Sequence, residues 1–198
     1  MNSPTLEETA VADGTNKVSR RRFLKRLACG SLLAMGSPNI VQAAFSGFTA
    51  HKNLSLAHHH TGENLTLTYY EQGRYIHGAL DEISYFMRDY HNGAVHSIDP
   101  ALLDQLYDVK LLLGVNKPFH IVSAYRSPET NASLRRHSRG VARQSLHMEG
   151  RAVDIRMEGM SANTIRKAAL MVQNGGIGFY PQSNFVHLDT GELRTWHR

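Results

Sequence analysis

The chain has 198 residues, 41% hydrophobic and 20% charged, enough to bury one core and too few to expect two. Its formal charge of +5 is uneven: the first 43 residues hold six of the 22 Lys and Arg and three of the 17 Asp and Glu, leaving +2 for the rest. That near-balance removes most of the support for a nucleic-acid-binding protein, and a single cysteine, Cys29, excludes a disulfide scaffold within the chain.

The N-terminal segment reads as an export leader. Ser19-Arg-Arg-Arg-Phe-Leu-Lys25 precedes a short apolar run, Leu27 to Met35, and a small-residue stretch ending in Ala43-Ala44. It resembles a twin-arginine export signal, an address read by a receptor rather than an anchor. The expectation is a signal peptide over 1–44, cleaved after Ala43 or Ala44, with the twin-arginine translocase as transient partner and the periplasm as destination. A basic amphipathic helix lying on a membrane or on nucleic acid is the alternative. No stretch reaches the roughly 20 apolar residues of an ordinary transmembrane helix, so no stable membrane anchor is expected after cleavage.

Residues 45–64 are polar and weakly patterned and read as a linker, in which His58-His59-His60 are solvated histidines rather than a metal tract. Residues 65–198 form the folded domain. Leu65 to Tyr70 alternates apolar and polar, Gly73 supplies a turn, and Tyr75 to His77 resumes, which predicts a β-hairpin. Apolar residues at 80, 83, 86, 87 and 90 predict a helix from Leu80 to Tyr90. Asp99-Pro100 is an N-cap with Pro at the first helical position, opening a helix that stops at Gly114. Phe119 to Ala124 reads as a buried strand and Ser127-Pro128-Glu129 as a helix start, followed by a basic loop from Arg135 to Arg143. Ser161 begins a helix through Val172. Ile177 to Tyr180 and Asn184 to Asp189 make a second hairpin, with a last strand between Glu192 and Trp196.

Two stretches carry the chemistry. Ser145-Leu-His-Met-Glu-Gly-Arg-Ala-Val-Asp154 places His147 before a turn at Gly150 and Asp154 on a strand, with Val153 and Ile155 on the opposite face. In Phe185-Val-His-Leu-Asp189, period two puts Phe185, His187 and Asp189 on one face, with His187 and Asp189 roughly 7 Å apart at Cα. His147, Asp154 and His187 offer two imidazoles and a carboxylate, the three-ligand set of a catalytic zinc with a fourth position for water. For any one of them taken alone, a satisfied structural histidine or carboxylate is the commoner reading.

The pattern Ser-x-His-x-x-Gly-x-Ala-x-Asp with a later strand histidine resembles the zinc D-Ala-D-Ala peptidase group, in the superfamily that also holds lysostaphin-type enzymes and the hedgehog domain. Ser123-Ala-Tyr-Arg-Ser-Pro128 resembles the Tyr-Arg-Ser segment of the same group. The likeness covers roughly Tyr69 to the C-terminus and is closest to the murein endopeptidase branch. It implies one Zn²⁺ per chain on His147, Asp154 and His187, and peptidoglycan stem peptides as substrate. It also implies that Arg126 projects into the cleft to hold a substrate carboxylate or the developing oxyanion. Tyr125 and Ser145 join it as substrate-binding candidates, although Ser145 also reads as a turn cap or as a holder of the His147 loop.

The acidic or histidine base that many members carry just before the last ligand is missing, since Asn184 and Phe185 stand there. Asp189 is the candidate base; a carboxylate that orients the metal-binding histidine is the other reading. The expected fold class is α+β, a small antiparallel sheet carrying the zinc site with helices packed on one side. The expected activity is cleavage of peptide crosslinks of peptidoglycan. A D,D- or L,D-carboxypeptidase, or a non-catalytic cell-wall-binding module, are the rivals.

Overall fold

The computed structural model describes residues 51–138 and 140–198; the leader expected over 1–44, with Cys29, lies outside the described residues. The described chain starts with a strand. β1 (His51–His58) carries Leu54 and Leu56, each 1% exposed, and pairs antiparallel with β2 (Asn64–Glu71) on one side. On its other side it pairs in parallel with β4 (Phe119–Ser123). Of the linker expected over 45–64, residues 51–64 are thus corrected to a strand and the start of its hairpin. Alternate leucines need only five residues to fill one face of a strand, and both flanking edges take up the backbone polar groups.

The hairpin from β2 to β3 (Arg74–Tyr75) turns at Gln72 and Gly73, both at positive φ. Helix α1 follows over His77–Phe86, four residues shorter at its C-terminal end than the apolar spacing predicts. Met87, fully buried, leaves the helix because its carbonyl accepts the Tyr125 N–H at 3.0 Å, and Asp89 then gathers the N–H groups of His91 and Ser127.

Helix α2 (Pro100–Leu113) starts and stops where its caps predict: the Asp99 carboxylate accepts from Ala101 N at 2.9 Å, and Gly114 ends it in the left-handed region. It is tied to the first strands by Asp104, whose carboxylate accepts from Tyr69 and Tyr75 hydroxyls at 2.9 and 2.8 Å and pairs with Lys52 Nζ at 2.9 Å. Helix α3 (Pro128–His137) is capped by Ser127, and its last turn takes in Arg135 and Arg136, which the sequence pattern gives to a loop. Helix α4 (Ala162–Val172) is capped by Ser161.

Strands β5 (Ala152–Arg156), β6 (Gly176–Tyr180), β7 (Phe185–Asp189) and β8 (Arg194–His197) complete one sheet of eight strands in the order β3-β2-β1-β4-β5-β7-β6-β8. It is antiparallel except for the β1–β4 and β6–β8 pairs, so the α+β class holds with two parallel joins. Leu54, Leu56, Ile121, Val153, Ile155, Val186 and Leu188 share one core cluster with Leu102, Leu106, Ile165 and Ala169 of the helices. Alternation then leaves Asp154 and His187 on the sheet's other face. Among the described residues, no helix is long and apolar enough to cross a membrane.

Candidate metal centre

Three segments far apart in the chain place the three predicted ligands. Asp154 on β5 and His187 on β7 are direct cross-strand partners, so their side chains leave the same face of the sheet side by side. His147 arrives from a short 3-10 turn, Leu146–Glu149, which Ser145 caps by accepting the His147 N–H. Gly150 closes that turn at φ 65°, and a Cβ there would lie 2.1 Å from the Ser97 carbonyl oxygen, so both conformation and space demand glycine. The three residues form the one cluster with metal-ligand potential among the described residues, their donor atoms all within 4.8 Å of one another.

The ring partners decide which nitrogen of each histidine is free. His147 Nδ1 donates to the Ala124 carbonyl at 2.7 Å, leaving the Nε2 lone pair toward the cluster. His187 Nε2 donates to Asp189 Oδ2 at 2.9 Å, leaving Nδ1. His147 Nε2 then lies 3.2 Å from His187 Nδ1, and Asp154 Oδ1 lies 2.8 Å from His187 Nδ1 and 3.4 Å from His147 Nε2. Three atoms able to offer lone pairs converge there, an arrangement that calls for a proton on His187 Nδ1 or a metal cation among them. Ligands at about 2.0 Å from a tetrahedral ion lie about 3.3 Å apart, and the sides of this triangle run from 2.8 to 3.4 Å.

The electrostatics agree. Burial disfavours charge on Asp154, but the charge and hydrogen bonds of His147 and His187 outweigh it and hold the carboxyl well below its usual range. Burial lowers His147. His187 is also buried, yet its hydrogen bonds to Asp154 and Asp189 push it up to about 9. A proton on His187 and a metal compete for the same Nδ1 lone pair.

Asp189 is not placed to act as a base. It is 0% exposed, and five donors occupy its oxygens. Oδ1 accepts from Gly176 N, Gly191 N and Arg194 Nη1 at 3.0, 2.9 and 3.0 Å, and Oδ2 accepts from His187 Nε2 and Arg194 Nη2 at 2.9 and 2.7 Å. A general base must present a lone pair to the reacting water; this carboxylate lies behind His187 and holds its ring and tautomer. The expected base role is thereby corrected to an orienting one.

Arg126, which the resemblance directs into the cleft, lies beside Asp154. Its Nη2 lies 3.9 Å from Asp154 Oδ2, and the side chain is steadied by Ser123 Oγ at 3.2 Å and Asn131 Oδ1 at 3.3 Å. It lines a cleft with Asp154, Tyr125, Tyr90, His60 and Phe185. Tyr125 is stacked on His96 with ring centres 4.9 Å apart. Ser145 does not line this cleft; its hydroxyl caps the His147 turn, so its substrate-binding role is corrected to a positional one.

The histidine tract is also not linker. His58 is buried and its Nδ1 accepts the N–H groups of His60 and Thr61, while His60 stacks on Tyr90 at 4.0 Å and forms a cleft wall. Nothing in the local sequence reveals this, because the partner ring is 30 residues downstream.

Known proteins resemble this chain over most of its length. The family model described as peptidoglycan L,D-endopeptidase MepK (Peptidase_M15_2) matches residues 48–196. The peptidoglycan L,D-endopeptidase MepK of Escherichia coli (strain K12) is 44% identical over 174 residues, covering 87% of this chain and 95% of that protein. The Haemophilus influenzae protein named "Probable peptidoglycan L,D-endopeptidase MepK" is 40% identical over 137 residues, covering 69% of this chain and 74% of its own length. No solved structure gives a significant match.

Proposed function

The chain belongs to the Peptidase_M15_2 family, that of peptidoglycan L,D-endopeptidase MepK, and on that premise we propose that it is a zinc peptidase hydrolysing peptide crosslinks of peptidoglycan. The observation that carries the reading is the convergence of His147 Nε2, Asp154 Oδ1 and His187 Nδ1, with the far ring nitrogen of each histidine engaged by its own partner. Two nitrogens and one oxygen suit zinc and leave a position open. When bound, such an ion supplies Lewis acidity, lowering the pKa of a water toward neutrality and polarising a carbonyl.

The remaining parts are the chain's own. Ala124 and Asp189 hold the two imidazoles by their far N–H groups, so both present lone pairs without rearranging. Arg194 braces Asp189 with two hydrogen bonds. Arg126 supplies a fixed cation beside Asp154, directed at negative charge developing on the scissile carbonyl oxygen or at a substrate carboxylate. Its planar fork suits either. Tyr125, Tyr90 and Phe185 give the cleft an apolar wall against which the peptide packs.

Export to the periplasm through the twin-arginine route is part of the same proposal, supported by the paired arginines before the apolar run at Leu27 to Met35 and by the location of the polymer. The test is a muropeptide mass profile of purified sacculi incubated with the zinc-loaded chain, with a chelator-treated control. Conversion of crosslinked dimers to monomers, blocked by chelator, is the expected result. Loss of a terminal residue alone makes it a carboxypeptidase, and no change with zinc bound makes it a binding module.

A further inference from the structure

The metal-facing side of the sheet ends in a residue, Trp196 of β8, to which the reading above gives no task. Ser123, Asp154, His187, Gly178 and Trp196 are successive cross-strand partners, so they form one row across β4, β5, β7, β6 and β8. Neighbouring strands lie about 4.8 Å apart, which sets Trp196 two strand spacings from His187. The indole still comes within 5.1 Å of the imidazole, ring centre to ring centre, because Gly178 between them has no side chain. A Cβ on Gly178 would lie 2.5 Å from Trp196 Cε2 and 2.7 Å from Nε1, inside the space of the ring.

The indole is fixed as well as admitted. Its Nε1 donates to the Tyr180 hydroxyl at 3.0 Å, which satisfies its one polar group. Arg194, already engaged with Asp189, stands 5.1 Å from the ring centre. Gly178 lies beneath the ring and Arg194 over it, and the half-buried indole keeps part of its surface accessible beside the last ligand. At the far end of the same row stands Arg126, held on Ser123. The three ligands are thus bracketed by a cation on one side and a flat apolar surface on the other.

We propose that Trp196 is a substrate-binding platform that receives the carbon chain of a stem peptide on the side of the scissile bond away from Arg126. This rests on the peptidoglycan endopeptidase reading and deepens it. A carboxypeptidase that releases one terminal residue needs extended recognition on one side of the bond only. A crosslink continues on both sides, and the row supplies contacts for both. An aromatic face suits methylene groups because it offers large contact area on a side chain with few torsions to fix.

Trp196 is the only tryptophan in the chain, so its emission reports on the platform directly. The experiment titrates the chelator-treated full chain with a peptide-crosslinked muropeptide dimer and with the uncrosslinked monomer. It is paired with steady-state cleavage of the dimer by zinc-loaded wild type, Trp196→Ala, Trp196→Phe and Gly178→Ala. The dimer is expected to change the emission saturably and at lower concentration than the monomer. Trp196→Ala is expected to raise KM for the dimer about tenfold, equivalent to about 1.4 kcal/mol, with zinc content unchanged. Trp196→Phe retains most of the affinity, and Gly178→Ala reproduces the alanine defect by displacing the ring.

Cleavage of dimers by wild type with no emission change overturns the platform while leaving the endopeptidase standing, and so does an unchanged KM in Trp196→Ala. A saturable emission change without any bond cut by the zinc-loaded chain sinks the endopeptidase reading and leaves the platform as a binding subsite. If Trp196→Ala does not fold, the emission titration and Trp196→Phe still decide the matter.

Discussion

Replacing Asp189 by Asn separates an orienting carboxylate from a general base. The substitution keeps shape and volume but removes the charge and turns one acceptor into a donor. Asp189 accepts five hydrogen bonds, three at Oδ1 and two at Oδ2. The asparagine oxygen is best kept at the three-donor side, against Gly176, Gly191 and Arg194, which turns its NH₂ toward His187 Nε2. His187 must then accept at Nε2 and carry its proton on Nδ1, the atom that faces Asp154. A metal has to displace that proton, and loss of such a supporting hydrogen bond costs about 10- to 100-fold in metal affinity, or roughly 1.4–2.7 kcal/mol. The Arg194 Nη2 bond to this fully buried group is also lost, leaving two donors face to face, which should lower stability by about 2–3 kcal/mol. The assay is competition for zinc against a chromophoric chelator, followed by dimer cleavage at saturating zinc. Weakened zinc binding with most of the kcat recovered at saturation is the expected pair of results. Wild-type zinc affinity with kcat abolished would refute the orienting role and restore Asp189 as the base.

Other substitutions test the remaining parts. Arg126→Lys keeps the charge but not the fork held by Ser123 and Asn131, and should cut kcat about 100-fold with zinc content intact; an unchanged kcat removes Arg126 from the reaction. Asp104→Ala leaves the fully buried Tyr69 hydroxyl and the Lys52 ammonium without their partner. It should destabilise by about 3 kcal/mol, seen as a fall in Tm of about 10 °C, and a shift under 2 °C contradicts the network's weight. Gly150→Ala forces a Cβ against the Ser97 carbonyl at positive φ and should cost about 2–4 kcal/mol and lower zinc affinity. A variant that binds zinc like wild type in a denaturant series of unchanged midpoint would show that the turn can relax.

The sequence made the orientation of Asp154 and His187 legible because strand alternation acts at short range. Val153 and Ile155 facing the core oblige Asp154 to face away, and Val186 and Leu188 do the same for His187. Caps were equally local: Asp99-Pro100, Ser127-Pro128 and Ser161 each start a helix within one residue of the expected place. What was hidden depends on distant partners. β1 was missed because its parallel neighbour β4 lies some sixty residues on, past two helices. Period two correctly put Asp189 on the face of His187, but whether its carboxylate meets the cleft or lies under the ring is decided by Gly176, Gly191 and Arg194, from other segments. The place of Trp196 beside His187 depends likewise on Gly178 in another strand, and the one local signal was a glycine at a ligand-facing position.

The most direct test of the whole account is zinc stoichiometry measured together with hydrolysis of a defined crosslinked dimer, for wild type and His147→Ala. One zinc per wild-type chain, loss of both zinc and cleavage in the variant, and recovery of chelator-treated wild type on adding zinc back are the predicted results. Full zinc occupancy in His147→Ala, or undiminished cleavage by wild type stripped of metal, would contradict the assignment of His147, Asp154 and His187 as the metal centre on which hydrolysis depends.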